Sequence, residues 1–224
     1  MRLALAQINP LVGDLQSNAE RILAAAKRAQ SDGADVLLTP ELSLWGYPPR
    51  DLLLQPARIA DQAAQLDWLS NQVASDLMVL VGVALPTDDD RAPGLTNSIA
   101  LVHRRGWRAV AHKQLLPSYD VFDERRYFRP GTGPNLLQLP NGQRLGLTIC
   151  EDLWVDDSLQ RERLEGPDPI EQLIPEQPDV VINLAASPFD ADKPMLRQKL
   201  AATAARRLNC PCLLYTSPSP RDRG

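Results

Sequence analysis

The sequence predicts an α/β layered fold. Apolar runs of strand length alternate along the chain with longer segments in which apolar residues recur every three or four positions, as on one face of a helix. Strands and helices that alternate in this way pack as layers, with helices covering the faces of a sheet. The 224 residues suffice for one sizeable domain or, less readily, two small ones, and no repeat of fixed spacing is visible.

The first half of the chain predicts three strands and two helices. Residues 2–8 alternate small apolar and polar side chains, and 35–38 (DVLL) form a short apolar run; each predicts a strand. A first helix is predicted between Asp14, a candidate N-cap, and Gly33. Residues 77–85 are a continuous apolar run and predict a third strand. The two helical stripes consist of Leu15, Ala19, Ile22, Ala26 and Ala29 in the first helix and Ile59, Ala63, Leu66 and Val73 in the second.

The second half continues the alternation. Residues 98–103 and 107–112 have the composition of strands, and 144–149 and 179–184 are further apolar runs of strand length. A last helix is predicted from a stripe at steps of four, made of Leu196, Leu200, Ala204 and Leu208.

Composition and charge exclude several classes of function. The net charge of −4 and the lack of a long basic run argue against nucleic acid or an anionic membrane surface as the main partner. No apolar stretch is long enough to span a bilayer and the first residues lack a signal-peptide layout, so we expect a cytoplasmic protein. Three cysteines argue against a disulfide framework, and His103 and His112 have no clustered cysteines with which to bind zinc.

The end of the chain has a different composition from the rest. Residues 212–222 read CLLYTSPSPRD, which matches the translation of a transposase adapter used in sequencing libraries; a natural Pro/Ser linker is the alternative. Because the whole undecapeptide matches, we expect 212–224 to be an artefactual tail on a truncated domain of residues 1–211. Such a tail should pack poorly, since it was never selected against this core.

Three polar residues follow three of the predicted strands directly. Glu41 follows DVLLTP, Lys113 follows WRAVAH and Cys150 follows RLGLTI. Sites in α/β proteins form at the carboxyl ends of strands, and these residue types would supply a base, an oxyanion partner and a thiol nucleophile. Taken singly, each also fits a simpler interpretation, namely a charge at a helix start, a solvated strand end and a buried core thiol.

The segments around these residues resemble the nitrilase superfamily. PELSLWGY, HKQLLPSYDVFDERRYF and TICEDLW are similar to its three signature blocks and occur in the same order. Within the superfamily, GYPPRDLLL, YDVFDERRYF and NLAASPFDADKPMLR resemble the glutaminase domains of NAD synthetases. The resemblance covers residues 1 to about 211. It implies a four-layer α-β-β-α sandwich that is incomplete at its C-terminus.

The resemblance also implies roles for particular residues. Glu41, Lys113 and Cys150 would form the Glu-Lys-Cys triad, and Glu124 would be the second glutamate, which holds the lysine. Glu41 would take the proton of the thiol, and Lys113 with the backbone N–H of Glu151 would stabilise the oxyanion.

The resemblance extends to the binding of glutamine. It implies a pocket in which Lys193 meets the α-carboxylate and Glu151 or Ser187 the α-amino group, since a free amino acid is held by opposite charges. Simpler interpretations remain for three of the pocket residues: Trp154 as core, Ser187 as part of a turn and Lys193 as a surface charge at a helix start. The full implied pocket is Tyr119, Glu151, Trp154, Ser187 and Lys193.

The resemblance implies an amidohydrolase that releases ammonia from glutamine. A C-terminal synthetase domain would use the ammonia to amidate nicotinic acid adenine dinucleotide with ATP and magnesium, whereas the present domain would need no cofactor. The complete protein would be a homo-oligomer. Two alternatives stay open, a free-standing nitrilase-superfamily amidase acting on another small amide and an inactive fragment that serves in association.

Overall fold

In a computed structural model, the described part of the chain folds into two β-sheets and four α-helices. The structure describes residues 1–88, 92–104, 106–119, 122–156, 158, 164–187 and 193–216.

The first sheet has five strands whose spatial order follows the sequence. They are β1 (Leu3–Leu5), β2 (Val36–Leu38), β3 (Met78–Pro86), β4 (Leu95–His103) and β5 (Gly106–His112). The first three run parallel, and β4 is antiparallel to both β3 and β5. Because two antiparallel pairings separate β3 from β5, β2 and β5 point the same way and their carboxyl ends share one edge of the sheet.

The second sheet has four strands, again in sequence order. They are β6 (Leu136–Gln138), β7 (Arg144–Ile149), β8 (Val180–Ala185) and β9 (Cys212–Thr216). β6 and β7 pair antiparallel, whereas β7, β8 and β9 run parallel. Strands buried on both faces need continuous apolar runs, and every residue of β8 is buried.

Helices cover the outer face of each sheet. α1 (Leu15–Ser31) and α2 (Pro56–Gln72) share an apolar core with the first sheet, and α3 (Pro169–Leu173) and α4 (Lys193–Leu208) share another with the second. The two sheets share a third core, between them, to which both contribute, including Val36, Leu38, Leu80, Ile99, Leu147, Ile149, Ile182 and Leu184. The layers are therefore α-β-β-α, which confirms the predicted fold class.

Local sequence accounts for the best-predicted elements. The Asp14 side chain accepts a hydrogen bond from the Ser17 N–H and caps α1, whose predicted stripe is buried, and Gly33 follows the helix at φ 71°. β7 has the predicted bounds, whereas β1 is shorter than predicted and β4 longer. Neither β6 nor α3 is predicted from the sequence, because elements of three and five residues are too short for a periodic pattern.

The expectation that residues 212–216 pack poorly is wrong. They form β9, which pairs with β8 from Val181↔Cys212 to Ala185↔Thr216, and Tyr215 is buried. The segment CLLYT is apolar and aromatic, so it has the β-propensity to add a strand at the open edge of β8. Residues 217–224 lie outside the described part of the chain, and the artefactual origin of 212–224 stays a prediction. Within the described residues, no helix is long and apolar enough to cross a membrane.

Candidate active site

Glu41 lies on a tight turn after β2, and β3 has a glycine where the turn touches it. A Cβ at Gly82 would lie 2.3 Å from the Pro40 carbonyl oxygen and 2.4 Å from the Leu42 nitrogen, so a side chain there would displace the backbone. Leu42 itself has a φ of 47°, in the left-handed region. Gly82 thus lets the turn approach β3 closely, which fixes the position of the Glu41 carboxylate.

Lys113 is the first residue after β5, and its side chain is completely buried. A lysine is almost never fully buried unless its charge is paired. Here Nζ donates one hydrogen bond of 2.7 Å to Glu41 Oε1 and another of 2.8 Å to Glu124 Oε1. The ammonium therefore links the glutamate after β2 to the glutamate of the Glu124–Arg126 turn.

Cys150 is the first residue after β7 and begins a short 3₁₀ turn, Cys150–Leu153. Its φ of 48° is unusual for a residue with a side chain, and the residue is only 4% exposed. Asn183 in β8 donates a hydrogen bond of 3.1 Å to the Cys150 carbonyl oxygen. Strained backbone of this kind clusters at functional sites, where the surrounding structure enforces it.

Asp152 ties the cysteine turn to the lysine segment. Its carboxylate accepts hydrogen bonds from the backbone N–H groups of Gln114 and Leu115, each 2.9 Å, and of Ile149, 3.0 Å. Burial raises the pKa of Asp152 to about 6, and these backbone donors act in the opposite direction. Because the two residues after Lys113 and the residue before Cys150 share one carboxylate, the ends of β5 and β7 are held together.

The electrostatics of the site leave the thiol protonated. Burial raises the pKa of Cys150 well above its ordinary value and Glu41 adds to the increase, whereas Lys113 opposes it. Burial alone lowers the pKa of Lys113, but the carboxylates of Glu124 and Glu41 raise it well above the usual value, so the ammonium keeps its charge. Cys150 therefore needs a base to become a nucleophile.

The sequence model of the carbon-nitrogen hydrolase family matches residues 2–170. The chain belongs to this family. A glutamine-dependent NAD(+) synthetase of Synechocystis sp. is 41% identical over 96% of the chain, and one of Aquifex aeolicus is 34% identical over 94%. This carbon-nitrogen hydrolase spans only 39% and 34% of those two relatives.

Solved structures give the same picture of the fold. A glutamine-dependent NAD+ synthetase from Acinetobacter baumannii, in complex with ADP, superposes with a TM-score of 0.79 at 31% identity, over 96% of this chain and 38% of its own. An amidase from Nesterenkonia sp. superposes with a TM-score of 0.68 at 24% identity, over 92% of this chain and 73% of its own. The second similarity concerns the fold alone.

The implied pocket residues of this carbon-nitrogen hydrolase are only partly brought together. Tyr119 donates a hydrogen bond of 3.0 Å from its hydroxyl to Glu151 Oε1, and Glu151 is buried. Burial raises the pKa of Glu151, while the charges of Lys113 and, more weakly, Lys193 lower it. Lys193 begins α4.

The two remaining pocket residues have structural contacts. Trp154 packs against the core beneath α3 and α4, as its simpler interpretation requires. Ser187 donates its backbone N–H to Thr216 Oγ1 at 3.1 Å. The binding roles of all five pocket residues stay predictions.

Three further groups around the carboxylates are not among the residues predicted from the sequence. Asn97 Nδ2 in β4 donates a hydrogen bond of 2.8 Å to Glu41 Oε1, and the Ala186 N–H donates one of 3.1 Å to Glu41 Oε2. The Tyr47 hydroxyl donates one of 2.8 Å to Glu124 Oε1. A buried asparagine within the apolar run of β4 is the one signal that points to such a role in advance.

Proposed function

We propose that this carbon-nitrogen hydrolase hydrolyses the side-chain amide of glutamine, with Cys150 as nucleophile, Glu41 as general base and Lys113 as oxyanion partner. The observation that carries the proposal is the pair of hydrogen bonds from the fully buried Lys113 ammonium to Glu41 and Glu124, next to a buried cysteine on strained backbone. Burial of a lysine costs desolvation free energy, and ionisable groups with strongly perturbed pKa values cluster at functional sites.

The first half of the reaction forms a thioester. Glu41 accepts the thiol proton of Cys150, and the sulfur attacks the carboxamide carbon of glutamine. Negative charge develops on the carbonyl oxygen, where Lys113 and the Glu151 N–H donate hydrogen bonds. The carbon–nitrogen bond then breaks, and Glu41 returns its proton to the departing amide nitrogen, which leaves as ammonia.

The second half releases glutamate. Glu41 takes a proton from water, the hydroxide oxygen attacks the thioester carbon, and the carbon–sulfur bond breaks. The thiolate of Cys150 recovers its proton from Glu41. Throughout, Glu41 is held by three donors, since Oε1 accepts from Lys113 and Asn97 and Oε2 accepts from the Ala186 N–H, so little reorganisation accompanies each proton transfer.

The substrate and the fate of ammonia rest on the relatives. Proteins named glutamine-dependent NAD(+) synthetases match nearly all of the chain, while the chain spans about two fifths of their length or less. We therefore assign glutamine as substrate, with Tyr119, Glu151, Ser187 and Lys193 at its amino-acid end. The ammonia would serve a synthetase domain elsewhere in a longer protein, where ATP and magnesium would act.

The proposal is tested by ammonia release from glutamine, compared with simple aliphatic amides and N-carbamoyl amino acids. Cys150→Ala should abolish hydrolysis and leave the fold intact, because the thiol-to-hydrogen change is small. Cys210→Ala is the matched control, since Cys210 is also a free thiol but lies outside the site. Hydrolysis that survives Cys150→Ala would exclude Cys150 as the nucleophile. Preference for another amide would exclude glutamine as the substrate. In the longer protein, Cys150→Ala should keep NAD synthesis from free ammonium.

A further inference from the structure

Among the residues that the structure describes, Tyr47 is the one side chain besides Lys113 that hydrogen-bonds Glu124. Its hydroxyl lies 2.8 Å from Glu124 Oε1, the oxygen that also accepts from Lys113 Nζ at 2.8 Å. We propose that Tyr47 is a positioning residue, which acts through Glu124 to keep Lys113 between the two glutamates. The inference rests on the proposed function, because it concerns the lysine of that reaction.

The direction of the Tyr47 hydrogen bond follows from its environment. Burial and the charge of Glu124 raise the pKa of Tyr47 far above its usual value, so the phenol stays protonated. It therefore donates to the carboxylate, and a donor favours the ionised form of Glu124. The Tyr47 ring packs against Phe122, with the ring centroids 6.2 Å apart, which restricts its orientation.

Glu124 depends on this donor because its other oxygen lacks one. Among the described residues, no group bonds Glu124 Oε2 although this atom is buried. Glu124 lines a cavity of about 280 Å³, whose wall includes Tyr47, Phe122 and Tyr127. Removal of the Tyr47 hydroxyl would leave Lys113 as the one donor that the structure gives to this carboxylate.

Ionisable groups approach Glu124 from several segments. Lys113, Glu41 and Cys150 approach from the ends of β5, β2 and β7. Burial raises the pKa of Glu124 to about 7; the charge of Lys113 lowers it, that of Glu41 raises it, and the hydrogen bonds from Lys113 and Tyr47 lower it.

The neighbours of Glu124 on its own turn face other partners. Arg126 pairs with Asp51 at 3.4 Å on the surface, and Arg125 bonds the Leu116 carbonyl oxygen. Asp123, the residue before Glu124, is exposed. Glu124 therefore changes its charge near neutral pH, with burial as the largest cause and the charges of Lys113 and Glu41 next.

The test is the pH dependence of kcat for glutamine in the full chain and in Tyr47→Phe. We expect kcat to rise with pH as Glu124 ionises, with a midpoint near its pKa of about 7. Loss of one donor to a carboxylate should move this midpoint upward by about one pH unit in Tyr47→Phe. Well above both midpoints the two proteins should have the same kcat, because Glu124 is then ionised in each.

Two variants control for a merely structural effect. Tyr127 lines the same cavity, but its hydroxyl bonds the exposed Asp51 at 2.6 Å, so Tyr127→Phe should leave the midpoint unchanged. In a Glu124→Gln background, Tyr47→Phe should cause no further change of the pH profile, since the group through which Tyr47 acts no longer titrates.

The outcomes separate this inference from the proposed function. A Tyr47→Phe enzyme with an unchanged midpoint, or with kcat lowered by the same factor at every pH, would overturn the role of Tyr47. If the chain hydrolyses no glutamine, the proposed function fails, and an infrared titration of the Glu124 carboxyl decides instead, identified as the band missing from Glu124→Gln. That band should titrate about one pH unit higher in Tyr47→Phe; an unchanged titration refutes the inference.

Discussion

Replacement of Lys113 by methionine tests the mechanism most informatively, because methionine keeps much of the aliphatic stem and removes the charge. If Lys113 stabilises the oxyanion, its loss should remove about 3–4 kcal/mol from the transition state and lower kcat by roughly two to three orders of magnitude. Because the contribution arises as charge develops on the carbonyl oxygen, KM should change little.

The same substitution has a structural consequence that must be measured alongside. Lys113 is fully buried and bonds both Glu41 and Glu124, so its removal leaves two buried carboxyl groups without a cation. Breaking a buried pair in this way costs about 3–5 kcal/mol unless a proton neutralises one of them. The urea midpoint of Lys113→Met should therefore fall, and kcat must be measured on protein shown to be folded.

The assay is initial-rate ammonia release over a range of glutamine concentrations. Lys193→Met is the comparison, since loss of a lysine that holds the substrate carboxylate should raise KM and leave kcat nearly unchanged. A near-normal kcat in folded Lys113→Met would refute the triad. A raised KM with normal kcat would make Lys113 a substrate-binding residue instead.

Three further predictions concern the scaffold around the site. Gly82→Ala should lower the unfolding free energy by about 1–3 kcal/mol and reduce kcat through displacement of Glu41, because the added methyl group meets backbone atoms. Gly94→Ala is the control and should have little effect, since a Cβ there meets nothing within 4 Å. Equal urea midpoints for the two variants would contradict the steric argument. Glu124 has its folded pKa raised from 4.5 to about 7, so the native state binds more protons than the unfolded state between these values and wild-type stability should fall as pH rises through them. Glu124→Gln should remove about 3 kcal/mol of this pH dependence, and parallel stability curves would contradict the assignment. A chain ending at residue 211 should have a lower urea midpoint than one ending at 216, because β9 pairs with β8 and buries Tyr215. Equal midpoints would show that β9 contributes nothing to the free energy of unfolding.

Some of the fold is predictable because its signals are local. α1 has a capping aspartate and an apolar stripe over four turns, and β7 and β8 are apolar runs between polar residues. β9 illustrates the opposite case: residues 212–216 have the composition of a strand, whereas the match of 212–222 to a sequencing adapter predicts poor packing. Local composition decides whether a segment can join a sheet edge, whatever the origin of that segment.

The candidate site is predictable only in part. Glu41, Lys113 and Cys150 each follow a recognisable strand, and parallel strand ends converge. The bond between Tyr47 and Glu124 joins residues 77 positions apart, and that between Asn97 and Glu41 spans 56. Such contacts depend on how separate loops pack over the sheets, which no local pattern records. The cytoplasmic location and the oligomeric state also stay predictions.

Mass spectrometry of an acid-quenched reaction can show whether Cys150 attacks the glutamine amide. The chain has two other free thiols, Cys210 and Cys212, which serve as internal controls. During turnover we expect a γ-glutamyl thioester on the peptide containing Cys150, none on Cys210 or Cys212, and none at all in Cys150→Ala. Ammonia release without an adduct on Cys150, or with the adduct on another cysteine, would contradict the account.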